Sequence, residues 1–291
     1  MNNLNIFCFG FGQVAKCFIK KLKLENFNIN LSTTSRKSTH KKKFDEIDYT
    51  SFKFDGTNYD NKLIEKLKKS DHILVSIPPR EGTDLVLKSF SKIIENCNPK
   101  WITYLSATSV YGDYKGEWVN EESIVSPITS NGVDRLSAEK LWLSLNLNKK
   151  IPLQVFRLSG IYSNENNILV RLKSGNAKII NKKNHFFSRI HVEDIANILF
   201  ESLSKFKSGE IYNISDDKPA PSKDVTLYGV KILNMEKPKT IEIHDIESTM
   251  LKNFYKDSKK VSNKKMKDFF NYTLKFPTYI EGLNYIKNNS K

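Results

Sequence analysis

Cysteine is scarce, with Cys8, Cys17 and Cys97 the only three in 291 residues. Their odd number and wide spacing suggest neither a disulfide framework nor a zinc site, and no metal is expected. Cys8 and Cys17 read as small core residues. Arginine is scarce too: 36, 80, 135, 157, 171 and 189 are the only six among 47 basic residues. The net charge of +15 would otherwise invite a nucleic-acid reading. The lysine excess instead accompanies many Asn and Ile, the colouring of an AT-rich genome. Its densest runs, His40–Lys43 and Lys259–Lys265, lack interleaved aromatics on which bases could stack. Nucleic acid is therefore not an expected partner, although a general attraction for anionic ligands is. No run approaches the roughly 20 apolar residues of a membrane span. No basic segment followed by a long apolar one opens the chain, so neither a leader nor a membrane partner is expected, and the expected location is the cytoplasm.

The most informative stretch is Leu4–Ala15, an apolar strand (Ile6, Phe7, Phe9) running into Gly10-Phe11-Gly12-Gln13-Val14-Ala15. A GxGxxA pattern carries weight in this context, between a strand and a helix. Gly10 makes the tight turn, Gly12 lets a pyrophosphate approach the backbone, and Ala15 lets the helix pack on the sheet. The helix N-terminus then offers free N–H groups and partial positive charge to the phosphates, with Gln13 and Val14 in its first turn. Val14, Phe18, Ile19 and Leu22 continue with helical spacing, and Phe27–Thr33 follows as a second strand.

Strands and helices alternate over the first 160 residues, which predicts an α/β fold with a doubly wound, Rossmann-type parallel sheet. Further strands are expected at Ser51–Phe54, His72–Ile77, Trp101–Leu105, Leu153–Leu158 and Gly209–Ile214. Helices are expected at Leu63–Lys68, Leu85–Asn96, Leu136–Leu147 and Val192–Leu203. Beyond about residue 215, Pro219, Pro221 and Pro238 punctuate one helix (Ser222–Leu233), a short strand (Lys239–Ile243) and a Lys-rich stretch. Residues 1–160 with 188–214 read as the dinucleotide-binding domain, and 161–187 with 215–291 as a smaller C-terminal substrate-side lobe.

Five later segments resemble extended short-chain dehydrogenases/reductases of the NAD-dependent epimerase/dehydratase family. Leu105-Ser106-Ala107-Thr108-Ser109-Val110-Tyr111-Gly112 resembles the strand end that closes on Val-Tyr-Gly. Arg135-Leu136-Ser137-Ala138-Glu139 is similar to the active-site helix, and Arg157–Tyr162 to a Leu-Arg-x-x-x-x-Tyr-Gly segment with Ser163 in place of the Gly. Arg189–Ala196 resembles the Ile-His-Val-x-Asp signature, and Tyr212–Ser215 a Tyr-Asn-hydrophobic-small strand. The resemblance spans roughly residues 1–285 and implies a nicotinamide dinucleotide and a small polar substrate, such as one bearing a nucleotide or phosphate. It leaves a homodimer open.

The departures concern the chemistry. Family members place a Ser or Thr four residues before the motif Tyr, and a Tyr-x-x-x-Lys pair about 25 residues later. The Lys lowers the phenol's pKa so that it can exchange a proton near neutrality. Here those positions hold Ala107, Asn131 and Arg135. Asn does not titrate, and the Arg pKa suits ribose binding better than proton relay. A second alignment sets Arg135 and Glu139 at the Tyr and Lys positions, but it stretches the spacing and loses the Glu match. The catalytic assignment is therefore open, with Tyr111 as a substitute acid–base candidate.

On the cofactor side, an acid at the end of strand two would bind both ribose hydroxyls of NAD. This chain has Thr33-Thr34-Ser35-Arg36-Lys37 there, so Ser35 and Arg36 point to a 2′-phosphate and to NADP over NAD. By the resemblance Asp55 meets adenine, although a turn role ahead of Gly56 would also explain it. Ile77 and Pro78 pass the central ribose, and Ser106, Arg135 and Asn213 extend the cofactor site. His191 reads mainly as structural and His185 as a lobe residue that could be exposed. Asp113 and Tyr114 lie on a loop that could face substrate. Arg157 and Arg189 could bind a carboxylate or phosphate, with ion pairing to Glu193 or Asp194 an equal explanation for Arg189.

Overall fold

The computed structural model describes residues 3–182 and 184–289. The chain runs β1 (Asn3–Phe9), α1 (Gln13–Leu24), β2 (Asn28–Ser35), β3 (His40–Phe44), β4 (Ile47–Lys53), α2 (Lys62–Lys68), β5 (His72–Val75), α3 (Leu85–Glu95) and β6 (Trp101–Ala107). It continues through β7 (Trp118–Val119), α4 (Ser130–Lys149), β8 (Leu153–Leu158), β9 (Gly160–Tyr162), α5 (Ile168–Lys173), β10 (Ile179–Asn181), β11 (Arg189–His191), α6 (Val192–Glu201) and β12 (Ile211–Ile214). It ends with α7 (Ser222–Leu233), β13 (Thr240–Glu242), α8 (Thr249–Phe254), β14 (Lys260–Val261), α9 (Lys264–Phe270) and α10 (Tyr279–Asn289). Two compact units emerge: residues up to 107 with 133–157 and 195–212, and 108–132 with 158–194 and 213 onward. The second unit thus takes in 108–132 and 188–194, which the sequence reading groups with the first.

An eight-stranded sheet organises the first unit, in the order β12-β8-β6-β5-β1-β2-β4-β3. From β6 to β4 each ladder is parallel, and β3 adds an antiparallel edge. The strand order reverses at β1, the kind of switch point at which open α/β sheets bind ligands beyond their carboxyl ends. Side chains alternate between the two sheet faces. Phe7, Phe9, Val75, Ile102 and Val155 join a buried cluster with Leu63 and Leu67 of α2, Phe90 of α3 and Trp142 of α4. On the opposite face, Phe18 of α1 stacks on Trp101, whose indole N–H donates to Ser202 Oγ at 3.0 Å. Both faces are therefore covered, which makes the sheet doubly wound. Each fully buried core side chain of this kind contributes about 1.5–3 kcal/mol.

Three two-stranded parallel pairs, β9–β11, β10–β13 and β7–β14, build the second unit together with its helices. One apolar cluster in this unit joins Tyr162, Leu169, Ala220, Val225, Tyr279, Leu283 and Ile286.

Several elements differ from expectation. Strand two runs on to Ser35, so Ser35 ends a strand instead of opening a loop. The strand expected at Ser51–Phe54 begins at Ile47, paired with β3, for which the His-Lys-Lys-Lys-Phe sequence gives no alternating apolar signal. Three exposed lysines suit a sheet edge, where charge discourages pairing with another chain. The Lys-rich tail carries α8, α9 and α10 as well as α7.

Candidate functional site

The first unit carries a glycine turn at the end of β1. Gly10 has φ +85°, and a Cβ there would stand 2.8 Å from Ser76 Oγ and 3.2 Å from the Ile77 side chain. Its N–H donates to Thr34 Oγ1 at 2.9 Å, which fixes the turn against β2. Gly12 is the N-cap of α1, with no side chain capping it and no acid in the first turn. A Cβ at Gly12 would meet nothing within 4 Å. The helix N-terminus therefore opens onto free space with its positive partial charge unneutralised, which suits a pyrophosphate. Val14 and Ala15 are buried and anchor the helix, whereas Gln13 is exposed.

Across the carboxyl edge, Ser35 is half-buried and Arg36 exposed. Asp55 Oδ1 accepts the N–H groups of Asn58 at 2.7 Å and Thr57 at 3.0 Å, which hold its carboxyl below the usual range. The turn ahead of Gly56 (φ +103°) accounts for this residue by itself. Ile77 is half-buried and Pro78 exposed, just past β5, and Ala107 is half-buried at the end of β6. The hydroxyls of Thr33, Ser35 and Ser106 are buried without a hydrogen-bond partner among the described residues.

Arg135 Nη1 donates to the carbonyl of Leu105 at 2.8 Å. This bond pins the last turn of β6, so part of the guanidinium fork serves the backbone. Asn131 stands exposed in the first turn of α4, in the second unit. Arg157 is not a ligand-binding candidate. It is 4% exposed and its Nε and Nη2 grip the Glu139 carboxylate at 2.8–3.2 Å, with Glu139 1% exposed.

Other candidates in the second unit are likewise committed to structure. The Tyr111 hydroxyl is buried and donates to Asn213 Oδ1 at 2.8 Å, while Asn213 N donates to Glu121 at 2.7 Å. Asp113 Oδ1 accepts from the backbones of Lys115 and Ser258, and Tyr114 donates to the carbonyl of Ile124. Arg189 does not pair with Glu193 or Asp194. Glu193 takes Lys275, and Asp194 accepts from the Tyr272 hydroxyl and the backbone of Lys275 and Phe276. The Arg189 guanidinium donates instead to the carbonyls of Phe187 and Ala220 and to Ser222 Oγ. His185 is not exposed: it is buried against Tyr255, with Nε2 2.9 Å from the Asp257 carbonyl. His191 is buried beside Phe276.

Burial holds His72, His185 and His191 at about 4, against 6.5 for an ordinary imidazole. Unfolded, they titrate near 6.5, so between roughly pH 6.5 and 4 the unfolded state binds more protons and acidification costs stability. Asp216, raised by burial, works in the opposite direction. Imidazole proton NMR separates the two: all three histidines stay neutral at pH 5.5. Protonation of any of them there contradicts its burial.

The second unit also contains a cavity of about 890 Å³ that the sequence did not reveal. Phe187, Phe254 and Tyr255 form an aromatic wall, with Phe187 and Phe254 rings 4.3 Å apart. Arg171 and Lys178 line it beside the structurally held Arg189, and among the described residues no carboxylate does, so it favours an anion with an apolar or aromatic part. Its residues are drawn from segments between 160 and 283, and Arg189 is the lining residue that the sequence offers as an anion binder. Gly160 makes room for the wall, since a Cβ there would lie 2.2 Å from the Phe187 ring. Gly160→Ala should force that ring aside and cost about 1–3 kcal/mol. Urea unfolding will read it, and an unchanged midpoint contradicts the contact. Among the described residues no group of His, Cys, Asp or Glu could hold a metal, and no helix is long and apolar enough to cross a membrane.

No protein-family profile and no curated protein sequence matches the chain. Solved structures do. A conserved protein of unknown function from Silicibacter pomeroyi DSS is 28% identical, with a TM-score of 0.86 over 99% of each chain. UDP-glucuronic acid 4-epimerase from Bacillus cereus, in complex with NAD, is 16% identical with a TM-score of 0.76 over 100% of each chain. dTDP-glucose 4,6-dehydratase from Bacillus anthracis str. Ames, also in complex with NAD, is 16% identical with a TM-score of 0.76 over 99% of this chain and 97% of that one. The chain therefore has the Rossmann-type α/β fold of these solved structures.

Proposed function

We propose that the chain is an atypical epimerase/dehydratase-type protein that binds NADP in its first unit and acts as an oxidoreductase or epimerase on a small anionic substrate. The observation that carries the reading is the uncapped α1 N-terminus at Gly12, open beyond its Cα. Gln13 and Val14 supply backbone N–H groups to the pyrophosphate, and Ser35 and Arg36 meet the 2′-phosphate. Asp55, Ile77 and Pro78 flank the adenosine half, and Ser106 and Arg135 the nicotinamide ribose. When bound, the nicotinamide supplies hydride chemistry. The second unit is the substrate lobe, and its aromatic and basic cavity takes the anionic group. At the family's proton-transfer positions this chain offers Ala107, Asn131 and Arg135, so a group outside that set moves the proton.

Calorimetric titration with NADPH, NADH and their oxidised forms tests the binding half. The expected result is micromolar NADPH binding, tighter than NADH and weakened at least tenfold in Arg36→Ala. Failure to bind any dinucleotide overturns the proposal. NADPH oxidation with a panel of carbonyl metabolites tests the chemical half. Bound cofactor without turnover across the panel would leave a dinucleotide-binding sensor in place of an enzyme.

A further inference from the structure

We infer that Lys53 is a second cation for the 2′-phosphate of NADP and, with Arg36, sets the preference over NAD; the inference rests on the NADP reading above. β2 and β4 run parallel with Ser35 opposite Lys53. Paired residues on neighbouring strands project from the same face, so both side chains leave the sheet together at its carboxyl edge. The Phe54 N–H donates to the Ser35 carbonyl at 2.8 Å, and the Lys53 N–H donates to Thr39 Oγ1 at 2.9 Å. The segment that carries Arg36 is therefore tied at both ends to the backbone around Lys53.

The ammonium also has a neighbour of opposite charge. Lys53 Nζ lies 3.5 Å from Asp55 Oδ2, and the other carboxylate oxygen is held by two backbone N–H groups. Asp55 thus gives Lys53 a resting contact past the carboxyl end of β4. A pair this exposed holds weakly, with side chains 43% and 31% accessible, so the ammonium remains available to a stronger anion. A phosphate monoester carries a charge of roughly −1.5 to −2 near neutrality and favours two cations over one. β2 itself ends without an acid, and the Asp55 carboxylate beside Lys53 is the one that an incoming phosphate must displace from the ammonium. The ribose diol of NAD offers Lys53 no charge to bind, so the residue discriminates without adding affinity for both cofactors.

Titration of the full chain with NADPH, NADH, adenosine 2′,5′-bisphosphate and 5′-AMP, repeated on Lys53→Gln, Lys53→Arg and Arg36→Gln, tests this. Lys53→Gln should weaken NADPH and the bisphosphate at least tenfold and leave NADH and 5′-AMP within twofold. Lys53→Arg should stay near wild type, and thermal unfolding of all three variants should match it. Equal weakening of NADPH and NADH in Lys53→Gln overturns the inference, because Lys53 would then act only through its turn. An unchanged NADPH preference in Lys53→Gln also overturns it while leaving the NADP reading intact. Wild-type preference for NADH overturns that reading and this inference together, and no dinucleotide binding at all overturns the dinucleotide reading beneath both.

Discussion

Gly12→Val should leave the chain folded and weaken dinucleotide binding by two orders of magnitude or more. The two halves of this expectation have separate physical origins. Gly12 has φ −84°, a conformation open to any L-residue, and its missing Cβ faces open space. The Cβ of a valine therefore meets no protein atom within 4 Å, and the cost to the fold is the loss of a favourable N-cap, about 1 kcal/mol. That same open space is where a pyrophosphate must come close enough to reach the α1 N–H groups, and a branched side chain fills it. Gly10 supplies the contrast. Its φ of +85° and the nearby Ser76 Oγ mean that Gly10→Ala strains the turn itself. It should lower the unfolding midpoint as well as the affinity. Calorimetry and urea unfolding on both variants separate a position that makes room for ligand from one that makes the turn. If Gly12→Val binds NADPH as wild type does, this turn is not where the dinucleotide sits.

Legibility in the sequence followed the range of the forces involved. The β1–Gly10–α1 unit was readable because strand, turn and helix signals are all local and agree. The helix at Ser222–Leu233 was readable for the same reason, with Pro221 before it and regular apolar spacing within it. β3 was not, because an edge strand needs only one partner and no apolar face, and three consecutive lysines satisfy that. The two-residue pair β7–β14 joins segments some 140 residues apart, and its strands are too short to carry any period. The cavity is a similar case, since Arg171, Phe187 and Tyr255 become neighbours only through tertiary packing. Side-chain partners were the least legible. Arg189 has two acids close by in sequence, yet it is held by two carbonyls and a serine, because Lys275 and Tyr272 take the acids first.

Arg157 and Glu139 carry the same lesson to a measurable end. Read as sequence, Arg157 was a possible anion receptor and Glu139 a family landmark. Folded, they form one bidentate pair inside the first unit, with side chains only 5% and 1% accessible. Removing either partner leaves the other's charge buried and uncompensated, which costs about 3–5 kcal/mol. Arg157→Met and Glu139→Leu should therefore each lower the urea midpoint steeply, or prevent accumulation of folded protein. The double variant should recover much of that loss, because it removes both desolvation penalties while keeping most of the volume. An anion-binding Arg157 makes the opposite forecast: Arg157→Met would lower ligand affinity at unchanged stability, and Glu139→Leu would not rescue it. Unfolding curves on the two singles and the double decide between these roles, and near-additive losses would sink the buried-pair account.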